Sequence, residues 1–332
     1  MKRRITAIAL VAATLTLSAC QKQAAPSSDE KSGAGKAGRR ADLYIEISAL
    51  GNLPYFDDHK TGMKKAGELF GVQTDYRGPA ELDIPAMVQS LELAIARKPA
   101  GLVVVGFNDS LTPVINKAVE AGIPVVTVDA DLPKSKRVAF VGTGNFNAGY
   151  QGGLKMAELI GGKGKVALIT RTGQSNLNER IEGYKAALAK YPDIKVLPEA
   201  NDDSDSAKAA QVVSLLLQAN NDLAGIACVE AAGGSGAATA VKEAGKVGKV
   251  KIVAMDRDNS VLKYIEDGVV QASVAQQTAL MPIYAVAILY QLNHLDVPIT
   301  SDNAAAKVTG APSTIDTGVI IVDKSNYKHF LR

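Results

Sequence analysis

The sequence predicts an α/β protein made of two doubly wound parallel-sheet lobes joined by a three-strand hinge. Three observations carry this. Its 332 residues suffice for two lobes at roughly 100–200 residues per domain. From residue 42 onward, short aliphatic and β-branched runs alternate with helical segments, the pattern of parallel strands covered by helices on both faces. The alternation also occurs as two half-chains of similar layout that meet near Gly142-Thr143-Gly144-Asn145.

The elements follow in chain order. Lys2-Arg3-Arg4 precedes an apolar stretch from Ile5 to Leu17 and then Ser18-Ala19-Cys20, the order of an export signal, read as residues 1–19. The apolar run is too short for a membrane span of about 20 residues. Leu17-Ser18-Ala19-Cys20 resembles the lipobox of bacterial lipoproteins, which implies that Cys20 carries lipid and anchors the mature chain at a bilayer. Residues 20–41 hold no large apolar side chains beyond the cysteine and read as a flexible tether. That leaves Cys228 without a disulfide partner, in a run that reads as a buried strand.

The charge divides along the same boundaries. The chain has 37 Lys+Arg and 34 Asp+Glu, but Lys2, Arg3 and Arg4 leave with the signal. Five more basic residues and two acids lie in the tether, so residues 42–332 carry 29 basic against 32 acidic side chains. A slightly acidic body argues against nucleic acid as a partner, and its membrane contact is expected through the lipid anchor only.

In the first half-chain the strand candidates are Leu43–Ile47, Val72–Tyr76, Leu102–Val105, Val125–Val128 and Ala139–Val141. In the second they are Val166–Thr170, Ile194–Leu197, Ile226–Val229, Lys251–Ala254 and Ala272–Ala275. Met87–Ala96 and Val212–Leu217 read as helices. The expected boundaries are 42–144 plus 277–300 for the first lobe and 145–276 plus 301–332 for the second. Met281–Leu292 is then a helix returned to the first lobe, and Thr317–Val322 is a final strand near the second. In open α/β sheets ligands bind beyond the carboxyl ends of the strands, which places weight on Ser48, Asp129, Glu230, Asp256 and Gln276. All five are polar, whereas the strands before them are apolar.

Several landmarks in order resemble the ribose-type periplasmic sugar-binding proteins that feed ABC importers, which have the type I periplasmic binding protein fold. Ser48 through Phe56, followed by Lys60-Thr61-Gly62, is similar to the family's first strand-to-helix segment with its sugar-stacking aromatics. Ile123 through Asp129 is similar to the strand ending in a sugar-binding aspartate, and Asn145 through Gly149 to the crossover between lobes. Asn178 through Tyr184 resembles the helix with a ligand-binding arginine. Val253 through Asp256 and Ala275-Gln276 resemble the last cleft strands. The resemblance implies that Tyr55, Phe56, Asn52, Asp129, Arg180, Asp256 and Gln276 contact ligand, with Asp131 and Glu230 added where this chain departs from the ribose pattern.

The residue types suit a ring of hydroxyls: carboxylates accept from them, the Arg180 guanidinium donates, Gln276 does both, and Tyr55 and Phe56 cover the apolar faces. Other roles stay open at this stage. Asp129 and Asp256 can be capping acids, Arg180 can pair with Glu179 or Glu182, and the aromatics can be core. Asp202-Asp203-Ser204-Asp205 reads as a turn and helix cap, since it lacks the rest of a calcium loop.

Enzyme chemistry has no foothold. His59, His294 and His329 lack metal-ligand spacing. No nucleophile elbow is present, and Gly161 through Lys165 lacks the Ser/Thr of a phosphate loop. No metal and no cofactor is expected. The expectation is an exported, membrane-anchored lipoprotein facing the periplasm or cell exterior, acting as a monomer. It captures a monosaccharide or polyol by hinge closure for an ABC permease and ATPase complex. The alternative is the same capture presented to a membrane receptor or histidine kinase.

Overall fold

The parallel strand Gly101–Val105 is fully buried along its length, as its unbroken apolar run requires, and two sheets are built outward from such strands. The computed structural model describes residues 42–49, 51–295 and 297–331. The expected signal at 1–19, Cys20 and the tether to residue 41 lie outside the described residues.

The first sheet contains β1 (Leu43–Ile47), β2 (Gln73–Arg77), β3 (Gly101–Val105), β4 (Val125–Val128) and β5 (Ala139–Gly142). Its strand order is β2-β1-β3-β4-β5, all parallel, with Val103 opposite both Glu46 and Val126. Between these strands run α1 (Asp57–Phe70), α2 (Ile84–Ala96) and α3 (Thr112–Glu120). Asp83 caps α2 by accepting from the Ala86 N–H at 2.9 Å, and Pro85 occupies its first turn, where no intrahelical donor is lost. Gly71 ends α1 in the left-handed conformation, at φ 63°.

The chain then crosses into α4 (Asn145–Leu159), β6 (Lys163–Thr170), α5 (Ser175–Leu188), β7 (Asp193–Val196) and β8 (Ala200–Asn201). It continues as α6 (Ser206–Ala219), β9 (Leu223–Cys228), α7 (Ala231–Glu243), β10 (Lys251–Met255), α8 (Asn259–Glu266) and β11 (Ala272–Gln276). The second sheet runs β11-β10-β9-β6-β7 in parallel, with β8 beside the end of β6. Cys228 lies buried in β9 as the sequence predicts. The acid run is likewise a turn and a cap, because Asp202 accepts from the Ser204 N–H and Asp205 from the Lys208 N–H.

After β11 the chain returns as α9 (Leu280–His294), whose Met281, Ala285, Val286 and Leu289 join the core of the first lobe. Burying each side chain of Leu or Val size contributes about 1.5–3 kcal/mol, and the first lobe holds one connected core while the second holds two.

The last segment differs from the sequence reading. Residues from 301 onward were expected in the second lobe, but β12 (Thr314–Asp316) pairs in parallel with β5, opposite Phe140 through Gly142. Those residues therefore extend the first sheet. The chain crosses only at 317–318, before β13 (Val319–Asp323) adds antiparallel to β11. A three-residue edge strand next to Pro312 and Ser313 presents no apolar run, so the alternation that marks buried strands is silent there.

The three crossovers are hydrogen-bonded side by side. The Thr317 N–H donates to Gly142 O (2.8 Å), and the Gln277 side chain donates to Thr317 O (2.6 Å). Asp316 Oδ1 accepts from both the Gly144 and Gly318 N–H groups, at 2.7 and 2.8 Å. A Cβ at Gly144 would lie 2.3 Å from the Asp316 carboxylate and would force that carboxylate off its position. Among the described residues no helix is long and apolar enough to cross a membrane.

Candidate functional site

Both sheets end their strands at one cleft. Asp129 follows β4 and Asp256 follows β10, the corresponding strands of the two lobes, and both take left-handed backbone conformations (φ 65° and 63°). Aspartate tolerates that region better than most residues, but the conformation still costs free energy and is held by its surroundings. Its effect is to turn each carboxylate off the strand axis at the sheet end. The backbone of Asp256 is pinned by Ser273 on β11, whose hydroxyl donates to the Asp256 carbonyl.

In the first lobe Tyr55, in a short 3-10 turn before α1, donates its hydroxyl to Asp129 Oδ1 at 2.6 Å. In the second, Arg180 is 5% exposed and spends its guanidinium on four-residue connectivity. Nε donates to Asn145 Oδ1 (2.9 Å), Nη1 to the Val229 carbonyl (3.0 Å) and Nη2 to Gln276 Oε1 (3.2 Å). Gln276 in turn donates to Asp256 Oδ1 at 2.9 Å. These bonds exclude the pairing of Arg180 with Glu179 or Glu182 on a solvated helix face.

The arginine is positioned by helix packing. At Gly149 on α4 a Cβ would lie 1.9 Å from the Arg180 carbonyl, and at Gly152 one would lie 2.2 Å from the Tyr184 hydroxyl. Only glycines let α4 approach α5 this closely, which brings Asn145 within reach of Arg180.

Burial pushes the Asp256 carboxyl up to about 6, although Arg180 and Gln276 oppose the shift by stabilising the charged form. The Tyr55 hydroxyl is also raised, by burial first and then by Asp129. Behind Tyr55 and Phe56 lies a buried pair, with His59 Nδ1 2.6 Å from Glu46 Oε1. Burial alone would lower the His59 pKa; the Glu46 carboxylate overrides this and holds it above its ordinary value.

Two cavities open at this cleft, the larger lined by Asp129 and the smaller by its hydrogen-bond partner Tyr55. One, of about 560 Å³, is lined by Phe107, Asp129, Asp131 and Pro133 from the first lobe and by Asn145 and Glu179 from the second, among others. The other, of about 220 Å³, is lined by Leu53, Tyr55, Asp58, Asp256, Arg257, Gln276 and Thr278 among others.

Of the residues expected from sequence, Tyr55 and Asp129 form a bonded pair in the first lobe, and Arg180, Gln276 and Asp256 a bonded chain in the second. Asp131 lines the larger cavity, but it is held by Arg137 through two bonds (2.5 and 2.6 Å) and accepts from Thr127 and the Leu132 N–H. Arg137 thus balances the Asp131 charge at the edge of the larger cavity. Phe56, expected as a second wall, is 1% exposed and packs edge-on against Tyr55 and Phe107, so it is core. Glu230 turns back to cap α7, accepting from the Ala232 and Gly233 N–H groups at 2.9 and 2.7 Å. Asn52 is exposed and outside both linings, whereas its neighbour Leu53 lines the smaller cavity. Sequence reasoning passed over Phe107, Asn145, Asp58 and Arg257. Phe107 stands two residues past β3, where the rule about strand ends would have found it.

Among the described residues no group of three or more His, Cys, Asp or Glu side chains is placed to hold a metal ion. Comparison with known proteins matches residues 47–294 to the periplasmic binding protein domain. The D-allose-binding periplasmic protein of Escherichia coli K12 is 29% identical over 250 residues, 72% of this chain and 80% of that protein. Among solved structures, a sugar ABC transporter sugar-binding protein from Bacillus halodurans is 35% identical with a TM-score of 0.83, over 87% of this chain and all of that one. The arabinose-binding protein AraP from Geobacillus stearothermophilus is 34% identical with a TM-score of 0.82, over 88% of this chain and all of that one. With the fold, the hinge and the paired strand-end aspartates, these matches establish that the chain belongs to the periplasmic binding protein family, in its ribose-type branch of non-enzymatic sugar-binding proteins of ABC importers.

Proposed function

We propose that this protein captures a monosaccharide or related polyol between its two lobes by hinge closure and delivers it to an ABC permease, held at the membrane through lipid on Cys20. The observation that carries the reading is the linked set at the cleft, Tyr55–Asp129 from one lobe facing Asn145–Arg180–Gln276–Asp256 from the other. Each carboxylate keeps an oxygen beyond those engaged in these bonds, and a sugar hydroxyl donates well to such an acceptor. Arg180 is already oriented by three bonds, so little side-chain entropy is lost when it meets ligand oxygens. A ligand that contacts both lobes stabilises the closed arrangement because the open one cannot offer both sets of contacts.

Relatives are named for D-allose, ribose, D-apiose and xylitol, and one solved neighbour holds D-arabinose, which supports a neutral polyhydroxylated ligand. The test is thermal-shift screening of the purified protein against D-allose, D-ribose, D-arabinose and xylitol. At least one is expected to raise the melting temperature by several degrees, as saturating ligand does by mass action. Asp256→Ala and Arg180→Ala are each expected to abolish that shift while the fold persists by circular dichroism. Undiminished affinity in both variants would overturn the assignment.

A further inference from the structure

Asp58 and Arg257 belong to different lobes and touch. Asp58 stands in the first turn of α1, against the first sheet, and Arg257 directly follows Asp256 at the end of β10 in the second. Arg257 Nη2 donates to Asp58 Oδ2, and the same oxygen accepts from the Thr278 hydroxyl at 2.5 Å, on the crossover between β11 and α9. The pair lines the smaller cavity together with Tyr55, Asp256 and Gln276. Its side chains are only 14% and 24% exposed, so solvent and salt screen it less than a surface pair.

The geometry makes this contact conditional on closure. Arg257 moves with β10 and Asp58 with α1, so parting the lobes about the crossovers at 143–144, 277–279 and 317–318 pulls the two charges apart. Thr278, sitting on a crossover, fixes the carboxylate oxygen that Arg257 meets. A ligand enclosed beside Asp256 and Gln276 has this pair as part of the wall that joins the two lobes around it, and that wall parts when the lobes open. Breaking the pair therefore precedes escape, whereas entry into an open cleft does not require it.

We propose that Asp58 and Arg257 are positioning residues forming an interlobe latch, which holds the cleft shut over its ligand and sets the rate of release. The inference rests on the capture reading above. The test uses the purified protein and whichever of radiolabelled D-allose, D-ribose, D-arabinose or xylitol gives the thermal shift, with release followed after dilution. Asp58→Asn and Arg257→Gln are each expected to speed release about ten-fold with little change in association, as coupled charge pairs across an interface do. The double variant is expected to release no faster than either single one, and the swapped pair Asp58→Arg with Arg257→Asp to recover part of the slow release. Additive effects, a loss confined to association, or unchanged release would overturn the latch. The two readings fail separately: if none of the four sugars binds the wild type, the capture reading fails and the latch falls with it, whereas if sugar binds and both single variants, folded by circular dichroism, release it as slowly as the wild type, the latch alone is overturned.

Discussion

Where β8 and β9 end, two acids share a dry space. Asp202 is fully buried, its Oδ2 has no donor, and the Glu230 carboxyl faces it across the start of α7. Burial first, and Asp202 second, raise the Glu230 pKa to about 7, against the two amide donors that cap it. Two carboxylates this close cannot both ionise cheaply, so Glu230 keeps its proton to higher pH than an ordinary glutamate. A folded pKa above the unfolded value means that the stabilisation is fully present below the ordinary carboxyl range and is lost as pH rises through about 7. Unfolding free energy from urea titrations is expected to fall by about 1–3 kcal/mol between roughly pH 5 and pH 8, and Glu230→Gln to flatten that slope. A slope unchanged in the variant would locate the titration elsewhere. The aspartates and the glutamine of the cleft were legible in the sequence because position at a strand end is itself a sequence feature, whereas Arg180, inside α5, was reached only through the family resemblance of Asn178 through Tyr184. The direction in which Phe56 and Glu230 turn was not, since it follows from the 3-10 turn before α1 and from the capping geometry of α7.

Strand and helix placement was legible wherever burial imposes an unbroken apolar run, as in β3 and β4. It was silent for β8 and β12, which have two and three residues and lie where pairing rather than side-chain burial defines them. The contact of α4 on α5 is set by Gly149, Gly152 and Gly153, whose Cβ positions are filled by the neighbouring helix. Gly149→Ala must push the helices apart, at a cost of about 1–3 kcal/mol or more, as overpacked sites show. Because Asn145 and Arg180 lie on those two helices, the same change is expected to weaken sugar affinity as well as lower the melting temperature, both read by calorimetry. A change in stability with full affinity would separate the helix contact from the placement of Arg180.

Across the whole molecule, closure depends on crossovers that bend without separating. Asp316 ties two of them through the Gly144 and Gly318 amides. Asp316→Ala leaves both donors without that partner and is expected to lower stability by about 1–2 kcal/mol. It is also expected to speed hydrogen exchange at Gly144 and Gly318 selectively, as mass spectrometry of the hinge peptides reads. Exchange unchanged at both amides would place the hinge's restraint elsewhere. The placement of β12 has a temporal side. The first lobe owns the strand at 314–316 and the helix at 280–294, both encoded after nearly all of the second lobe. A chain emerging amino terminus first therefore cannot complete its first sheet or that sheet's core until nearly all of the second lobe has been made. Both lobes therefore finish late, the first with β12 and the second with β13 directly after it, and the chain stays incompletely folded through most of its synthesis, a condition suited to a polypeptide destined for passage through a membrane.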